Sequence, residues 1–369
     1  MSKIVLIMGG AGFIGSHTAD LLAKEGYTIK ILDNLDPLVH TKDWPEYVKN
    51  KNYELIRGDV KDKKILFEAL KDVDYVFHLA AYIDQLPDFS KFFEVNTVST
   101  ALLYELILEY KLPVKKIVYA SSQFVYGDGI YLDEEEKEFY PELRSLEQFK
   151  RKEWDILDKT GRKAKFIPFR EEQEVNPTNS YGLSKIASEN LALRLGRTYN
   201  IPTTIVRYSI VQGPRQSPRN IYSGALRIFV TQALAGEPIT VYEDGKQLRD
   251  FVNVEDVAKA NQLLLENPRT DFQIYNVGGG KGYSVLEFAE MIKKITGTSS
   301  EIKIEGFRKT DTRNAVSNID KIRALGWEPL NTIEKSIKDY VKWIKEEKFD
   351  LSYVKESGEK LKQMGVVDK

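Results

Sequence analysis

The stretch Ile4-Val5-Leu6-Ile7-Met8-Gly9-Gly10-Ala11-Gly12-Phe13-Ile14-Gly15 decides the fold. Its apolar first half reads as a buried strand. Glycines at 9, 12 and 15 then permit a tight turn, close approach of the backbone to a diphosphate, and tight packing of the next helix, Phe13–Lys24. The N-terminus of that helix offers free N–H groups and a partial positive charge to phosphates. The following apolar run, Thr28–Asp33, ends on a carboxylate at the distance from Gly15 that a dinucleotide fingerprint requires. A carboxylate there accepts hydrogen bonds from both ribose hydroxyls and repels the 2′-phosphate of NADP. Its neighbours are Asn34 and Leu35, with no arginine, so charge favours NAD.

Working outward, Tyr53–Arg57, Tyr75–Leu79 and Lys116–Ala120 read as further buried strands, with helical patterns over Ile65–Lys71 and Phe92–Lys111. Right-handed crossovers turn this alternation into a Rossmann-type doubly wound parallel sheet. Residues 1–207 form the expected NAD-binding domain, with Thr203–Arg207 as a strand and further elements returning at about 246–280. Residues 131–176 break the rhythm, opening on Asp133-Glu134-Glu135-Glu136, and read as an ordered insertion near the mouth of the site. Residues 208–245 and 281–345 make a smaller C-terminal α/β substrate-binding lobe, and 346–369 a charged, helix-prone extension.

The 369 residues suffice for a sizeable core, and 42% hydrophobic with 30% charged residues is ordinary for a globular protein. A formal net charge of −1 supplies no global field for nucleic acid or an anionic membrane, so neither is an expected partner. The absence of cysteine excludes disulfides and thiolate metal sites, and no metal centre is expected. No run approaches the roughly 20 apolar residues of a membrane span. The apolar run at the N-terminus stops at Gly9-Gly10, too short for a signal core, which makes the cytoplasm the expected compartment.

Three further patterns carry chemistry. Tyr181 and Lys185, four apart on a helix, share one face. A fixed cation beside a phenol favours the phenolate and draws its pKa from near 10 toward working pH, making Tyr181 a usable general base; alone, such a pair is usually surface decoration. Ser121-Ser122 ends the fifth strand, where open parallel sheets collect ligands, so Ser122 can hydrogen-bond a substrate oxygen unless it merely satisfies its own turn. Arg249 and Arg308 suit a diphosphate through bidentate bonds, against the simpler reading of surface ion pairs with Asp250 and Asp311. Asp59-Val60, after the third strand, is placed to border the adenine, or Asp59 caps the helix that follows.

Taken in order, the glycine triplet, Asp33, Asp59-Val60, His78-Leu79-Ala80-Ala81, Asn96, Ser122, Tyr181/Lys185, Gly213-Pro214-Arg215-Gln216 and Arg249-Asp250-Phe251 resemble the extended short-chain dehydrogenases. More narrowly, residues 3–345 resemble the NAD-dependent nucleotide-sugar epimerase/dehydratase family. The resemblance implies Tyr181 as base, Lys185 on the ribose and tuning Tyr181, and Ser122 on the reacting sugar hydroxyl. It implies a cofactor lining of Gly9, Gly12, Phe13, Ile14, Gly15, Asp33, Asn34, Asp59, Val60, Leu79, Ala80, Ala81, Asn96, Ser121, Tyr208, Tyr181 and Lys185. Substrate contacts fall to Tyr82, Ser122, Gln216, Arg249, Arg308 and Asp311, and a homodimer through Phe92–Lys111 and the helix of Tyr181 is implied.

Related dehydratases carry an acidic pair after the catalytic Ser/Thr, and related decarboxylases a Glu before Val-Tyr-Gly; here Gln123 and Phe124 stand in those places. That leaves epimerisation through a transient keto sugar, with NAD regenerated in each cycle and staying bound, and the resemblance implies C4 as the carbon inverted. Within the family, Leu32–Pro37 with Val39-His40, the 131–176 insertion, and the run from Gly213 to Tyr222-Ser223-Gly224 are similar to the dTDP-L-rhamnose 4-epimerase group, which often has cysteines in its insertion where this chain has none. Met8 replaces a usual Thr, and Ile210 a usual Asn beside the sugar diphosphate. C2 inversion, 4,6-dehydration or net oxidoreduction therefore stay open, and a non-catalytic NAD-binding regulator is the remote alternative.

Overall fold

The computed structural model describes every residue except 1, 38, 41, 42, 50, 84–86, 220–223, 356–366 and 369. Seven strands build the main sheet: β1 (Ile4–Met8), β2 (Thr28–Asp33), β3 (Glu54–Arg57), β4 (Tyr75–His78), β5 (Lys116–Ser122), β6 (Thr203–Tyr208) and β7 (Ile274–Val277). Every pairing is parallel, in the order β3-β2-β1-β4-β5-β6-β7. This is a Rossmann-type doubly wound sheet.

Both faces are buried, which is why the strands read as continuous apolar runs. Successive side chains alternate between the faces. Val5 and Ile7 pack with Ala19 and Leu22 of helix Phe13–Lys24 and with Val257 and Leu264 of helix Val254–Glu266. Leu6 and Met8 pack on the other side with Leu66, Leu103 and Ala192, from helices Lys63–Leu70, Ser99–Glu109 and Ser180–Thr198. Met8 pairs with Leu32 on one side and His78 on the other. The strand order reverses between β1 and β4, so the glycine loop emerges at the switch point where such sheets bind ligands.

The helix expected over Phe92–Lys111 is not uniform. It starts as Phe89–Phe92, widens into a π-helical turn at Phe93–Val98, and continues as Ser99–Glu109. The wide turn carries Asn96, and such turns often occur at functional sites.

The insertion is ordered. Ile130–Leu132 pairs antiparallel with Glu138–Phe139 and Lys165–Ile167 around Tyr131, Ile156 and Ala164. It docks on the smaller lobe: Phe169 exchanges backbone bonds with Val316 and Asn318, and Phe149 stacks on Phe307 with ring centroids 4.9 Å apart.

In that lobe, Ile210–Gln212, Leu248–Asn253 and Gly282–Ser284 form a small sheet, joined by Asn314–Ala315. Its core is built from Leu226, Phe229, Val241, Phe251, Phe288 and Ile337. Leu248–Asn253 thus lies with the smaller lobe, whereas the sequence reading returns the chain to the main layer at about 246. The change of layer comes at Asn253, whose side chain accepts from the Glu255 N–H and caps helix Val254–Glu266. Helix Ile333–Glu347 closes the lobe; beyond it, half of the expected extension, like Tyr222-Ser223, lies outside the described residues. Among the described residues, no helix is long and apolar enough to cross a membrane.

Candidate active site

One cavity of about 480 Å³ spans the carboxyl ends of the main strands and the smaller lobe, a volume suited to a small-molecule ligand. Its wall includes the glycine loop, Ser122, Tyr181, Lys185, Arg249 and Arg308.

At the glycine loop, space is the deciding quantity. A Cβ on Gly15 would stand 2.3 Å from the Gly9 carbonyl, and one on Gly9, whose φ is +79°, would stand 2.7 Å from the Ala80 nitrogen. Only glycine fits at either position. Gly12 precedes the helix without a side-chain cap, and Phe13, Ile14, Leu79 and Ala81 also line the cavity. Asp33 ends β2 at 8% exposure, with Oδ2 accepting from the Ala11 N–H (3.1 Å) and Oδ1 from the Leu35 N–H (2.9 Å). The carboxylate is therefore tied to the glycine loop. Burial raises its pKa, while His40, 3.9 Å away, opposes that shift. This cradle fits NAD.

Several expected cofactor residues stand further back. Asn34 is exposed and accepts from the Asp36 N–H. Val60 is buried, and Asp59 accepts from the Lys61 N–H; neither lines the cavity. The helix cap that the sequence offered to Asp59 is Asp62, which accepts from the amides of Lys64 and Ile65. Asn96 is fully buried and spends its side chain on the Tyr82 N–H and carbonyl and on Ser184 Oγ, so it braces two elements. Tyr82, expected on the substrate, donates instead to Asp88 Oδ2 at 2.6 Å, with Lys91 over its ring, and does not line the cavity. Tyr208 lines the cavity, yet its hydroxyl donates away from it to Asn261.

The chemical centre comes from helix Ser180–Thr198, whose first turn is fixed by Asn179 accepting from the Gly182 N–H at 2.8 Å. Tyr181 and Lys185 both face the cavity, and the Tyr181 phenol hydrogen-bonds Ser122 at the end of β5. Ser122 also satisfies its own turn, accepting from the Phe124 N–H, so both readings of that serine hold in geometry. Phe124 stands edge-on to the phenol. The expected tuning is not present: burial pushes Tyr181 up to about 12, against the opposing bond from Ser122. Burial likewise lowers Lys185 to about 7. The reason is geometric: Lys185 Nζ donates to the Ala120 carbonyl at 2.7 Å and lies 5.9 Å from the Tyr181 ring centre.

In the smaller lobe, Arg249 is 7% exposed and donates to Asp311 Oδ1 (2.9 Å) and to the carbonyls of Thr312 and Arg313. The ion pair with Asp311 exists, but in the cavity wall and not on the surface. Asp250 takes no part in it; it accepts from Ser209, Gly279 and Ser317, and burial raises it to about 6. Arg308 lies over the Tyr242 ring at 4.8 Å, and its buried Nε has no partner among the described residues. Gln216 lines the cavity with an Oε1 that has no partner among the described residues, and Ile210 lines it too. Among the described residues, no group of three or more His, Cys, Asp or Glu is placed to hold a metal ion.

The NAD dependent epimerase/dehydratase family matches residues 5–151 and 160–278. The chain belongs to that family. It is similar to dTDP-L-rhamnose 4-epimerase of Burkholderia thailandensis, at 31% identity over 94% of this chain and 96% of that one. A putative UDP-glucose 4-epimerase of Methanocaldococcus jannaschii is 33% identical over 93% and 98%. The solved UDP-glucose 4-epimerase of Thermus thermophilus, in complex with NAD, superposes with a TM-score of 0.75 at 28% identity, covering 93% of this chain and 99% of that one. The protein is an NAD-dependent enzyme of this family.

Beneath the cavity wall lies a buried group that sequence reasoning missed. Ser121, in the cavity wall, donates to Glu189 Oε2 at 2.8 Å. Glu189 is paired with Arg207 at the end of β6, both 1–2% exposed. Arg207 also donates to the Tyr126 hydroxyl, which donates to Asn276. The available signal was spacing: Glu189 falls four residues after Lys185, on the same helix face. The insertion was also underread, since its Arg144 pairs with buried Glu243 and donates to the Asp311 carbonyl.

Proposed function

We propose that the enzyme epimerises a hydroxyl-bearing carbon, C4, of a nucleoside-diphosphate sugar through a transient keto sugar. The observation that carries this reading is what surrounds the Tyr181–Ser122 pair. Gln123 and Phe124 line the cavity where related dehydratases and decarboxylases bring a carboxylate. Asp311, an acid of the cavity wall, is held by Arg249. The centre therefore offers one phenol, one hydroxyl and one amine, enough to move a hydroxyl proton but lacking the acid that elimination of water needs.

Gly9, Gly12, Phe13, Ile14, Gly15, Asp33, Leu79, Ala80, Ala81 and Ser121 would hold NAD. Bound NAD supplies a reversible hydride acceptor at the reacting carbon. Tyr181 takes the proton of the sugar hydroxyl while Ser122 orients that oxygen. Lys185, facing the same cavity, would hold the cofactor ribose. Tyr181 returns the proton after the keto sugar has turned its other face. Arg249, Arg308 and Gln216 hold the diphosphate throughout, which lets the sugar rotate without leaving. Exposed Phe93, Val98 and Leu183, on the two helices expected to pair, support a homodimer.

Tyr181→Phe tests the reading. The variant should lose at least ~10²-fold in turnover, in the range that general-base groups contribute, while keeping its NAD. Unchanged turnover would remove Tyr181 from this role.

A further inference from the structure

Arg249 does not set its own direction in the cavity wall. Its Nη1 and Nη2 make four hydrogen bonds, to the Leu248, Thr312 and Arg313 carbonyls and to Asp311 Oδ1. Residues 311–313 therefore decide where the guanidinium points, and they are held from behind. Arg313 donates its backbone N–H to Asp128 Oδ1 at 2.8 Å, on the run that leaves Ser122. The insertion supplies the rest. Its Arg144 donates to the Asp311 carbonyl (2.7 Å) and the Trp154 carbonyl (3.0 Å), and pairs with Glu243 at 2.9 Å. Its Asp155 receives Arg313 Nη2 at 2.9 Å and Nε at 3.1 Å. Arg313 Nη1 reaches Glu243 at 3.1 Å and Asp244 at 2.7 Å. Arg144, Glu243 and Arg313 are all buried, and none of them lines the cavity.

Charge-assisted bonds away from water fix geometry more firmly than an exposed pair does. A planar fork that bonds oxygens on three residues at once is confined to one orientation. We infer that Arg144 is a positioning residue for substrate binding: through it the insertion holds residues 311–313 so that Arg249 faces the cavity. Arg144 stands behind the wall, so it acts through Arg249 and not on the ligand. The inference rests on the functional reading given above, in which Arg249 meets the substrate.

The test is a double-mutant cycle, read by calorimetric titration of the NAD-loaded full chain with UDP, dTDP and inorganic pyrophosphate. Arg144→Met should weaken the tightest of these roughly fivefold or more, the size of effect that passes through an intermediate residue. Glu243 keeps Arg313 as its partner in that variant, so no buried carboxylate is stranded. In an Arg249→Met background the same replacement should change affinity by less than about twofold, because nothing remains for it to position. Arg144→Lys keeps a cation beside Glu243 but gives up the fork; it should weaken binding likewise, and it carries the cycle where Arg144→Met yields no loaded protein. Unchanged affinity in the Arg144 variants overturns the inference, as does an equal loss in both backgrounds, which marks a general loosening of the lobe. If the wild-type chain binds none of the three probes, or Arg249→Met binds as tightly as the wild type, the functional reading itself fails, and the inference fails with it.

Discussion

Glu189→Gln removes one charge from a pair that water scarcely reaches. The carboxylate receives Arg207 Nε at 3.1 Å, Arg207 Nη2, and the Ser121 hydroxyl. Burial works against the charge on Arg207, and Glu189 more than restores it, so the guanidinium is held above its ordinary value. It stays charged when its partner is made neutral. Breaking a buried pair from one side costs about 3–5 kcal/mol, a large share of the roughly 5–15 kcal/mol that folded proteins possess. With a urea dependence near 3 kcal/mol/M, the unfolding midpoint should fall by about 1 M or somewhat more. The double replacement Glu189→Met/Arg207→Met removes both charges. It should cost only about 1–3 kcal/mol, mainly for the donors lost to Tyr126 and the Glu171 carbonyl. The assay is urea unfolding followed by circular dichroism, run on the wild type, Glu189→Gln, the single variants Glu189→Met and Arg207→Met, and the double. A Glu189→Gln cost below about 1 kcal/mol, or a double variant as costly as the sum of the singles, would refute the reasoning. Since Ser121 lines the cavity, the single variant should also retain less NAD after gel filtration.

Gly15→Ala places a methyl 2.3 Å from the Gly9 carbonyl, so the variant should fold but lose NAD, read by the cofactor released on denaturation; full retention would contradict the fit. Lys185, held near 7 against an ordinary 10.5, leaves the unfolded chain with more bound proton between those values. Wild-type stability should therefore rise with pH from about 7 to 10 relative to Lys185→Met, and parallel Tm profiles would be the contrary result. Val98→Asp with Leu183→Asp should turn a dimer into a monomer by light scattering at unchanged NAD content, and an unaltered mass would remove those helices from the interface.

The fold was readable because each buried parallel strand leaves an unbroken apolar run and each turn at the site demands glycine. Phe13–Lys24 and Thr28–Asp33 have the boundaries the pattern predicts. Side-chain direction was not readable. Asn96 and Tyr82 are where the motifs place them along the chain, yet their polar atoms turn to each other and to Asp88 and Ser184. A tyrosine and a lysine four apart signal a shared face, but depth of burial decides their protonation, and one helix cannot report how much protein covers it. Glu189 and Arg207 look like surface charges until β5 and β6 close around them. The insertion's order likewise depends on contacts with residues near 307 and 316, too distant in sequence for local patterns to reveal.

The most direct test follows the proton NMR spectrum of UDP-, dTDP-, GDP- and CDP-sugars incubated with the purified chain, with no NAD added. The account predicts interconversion of one pair differing at a single carbon, C4, with no accumulation of absorbance from NADH. A 4-keto-6-deoxy product formed by loss of water, or no change in any sugar, would contradict it.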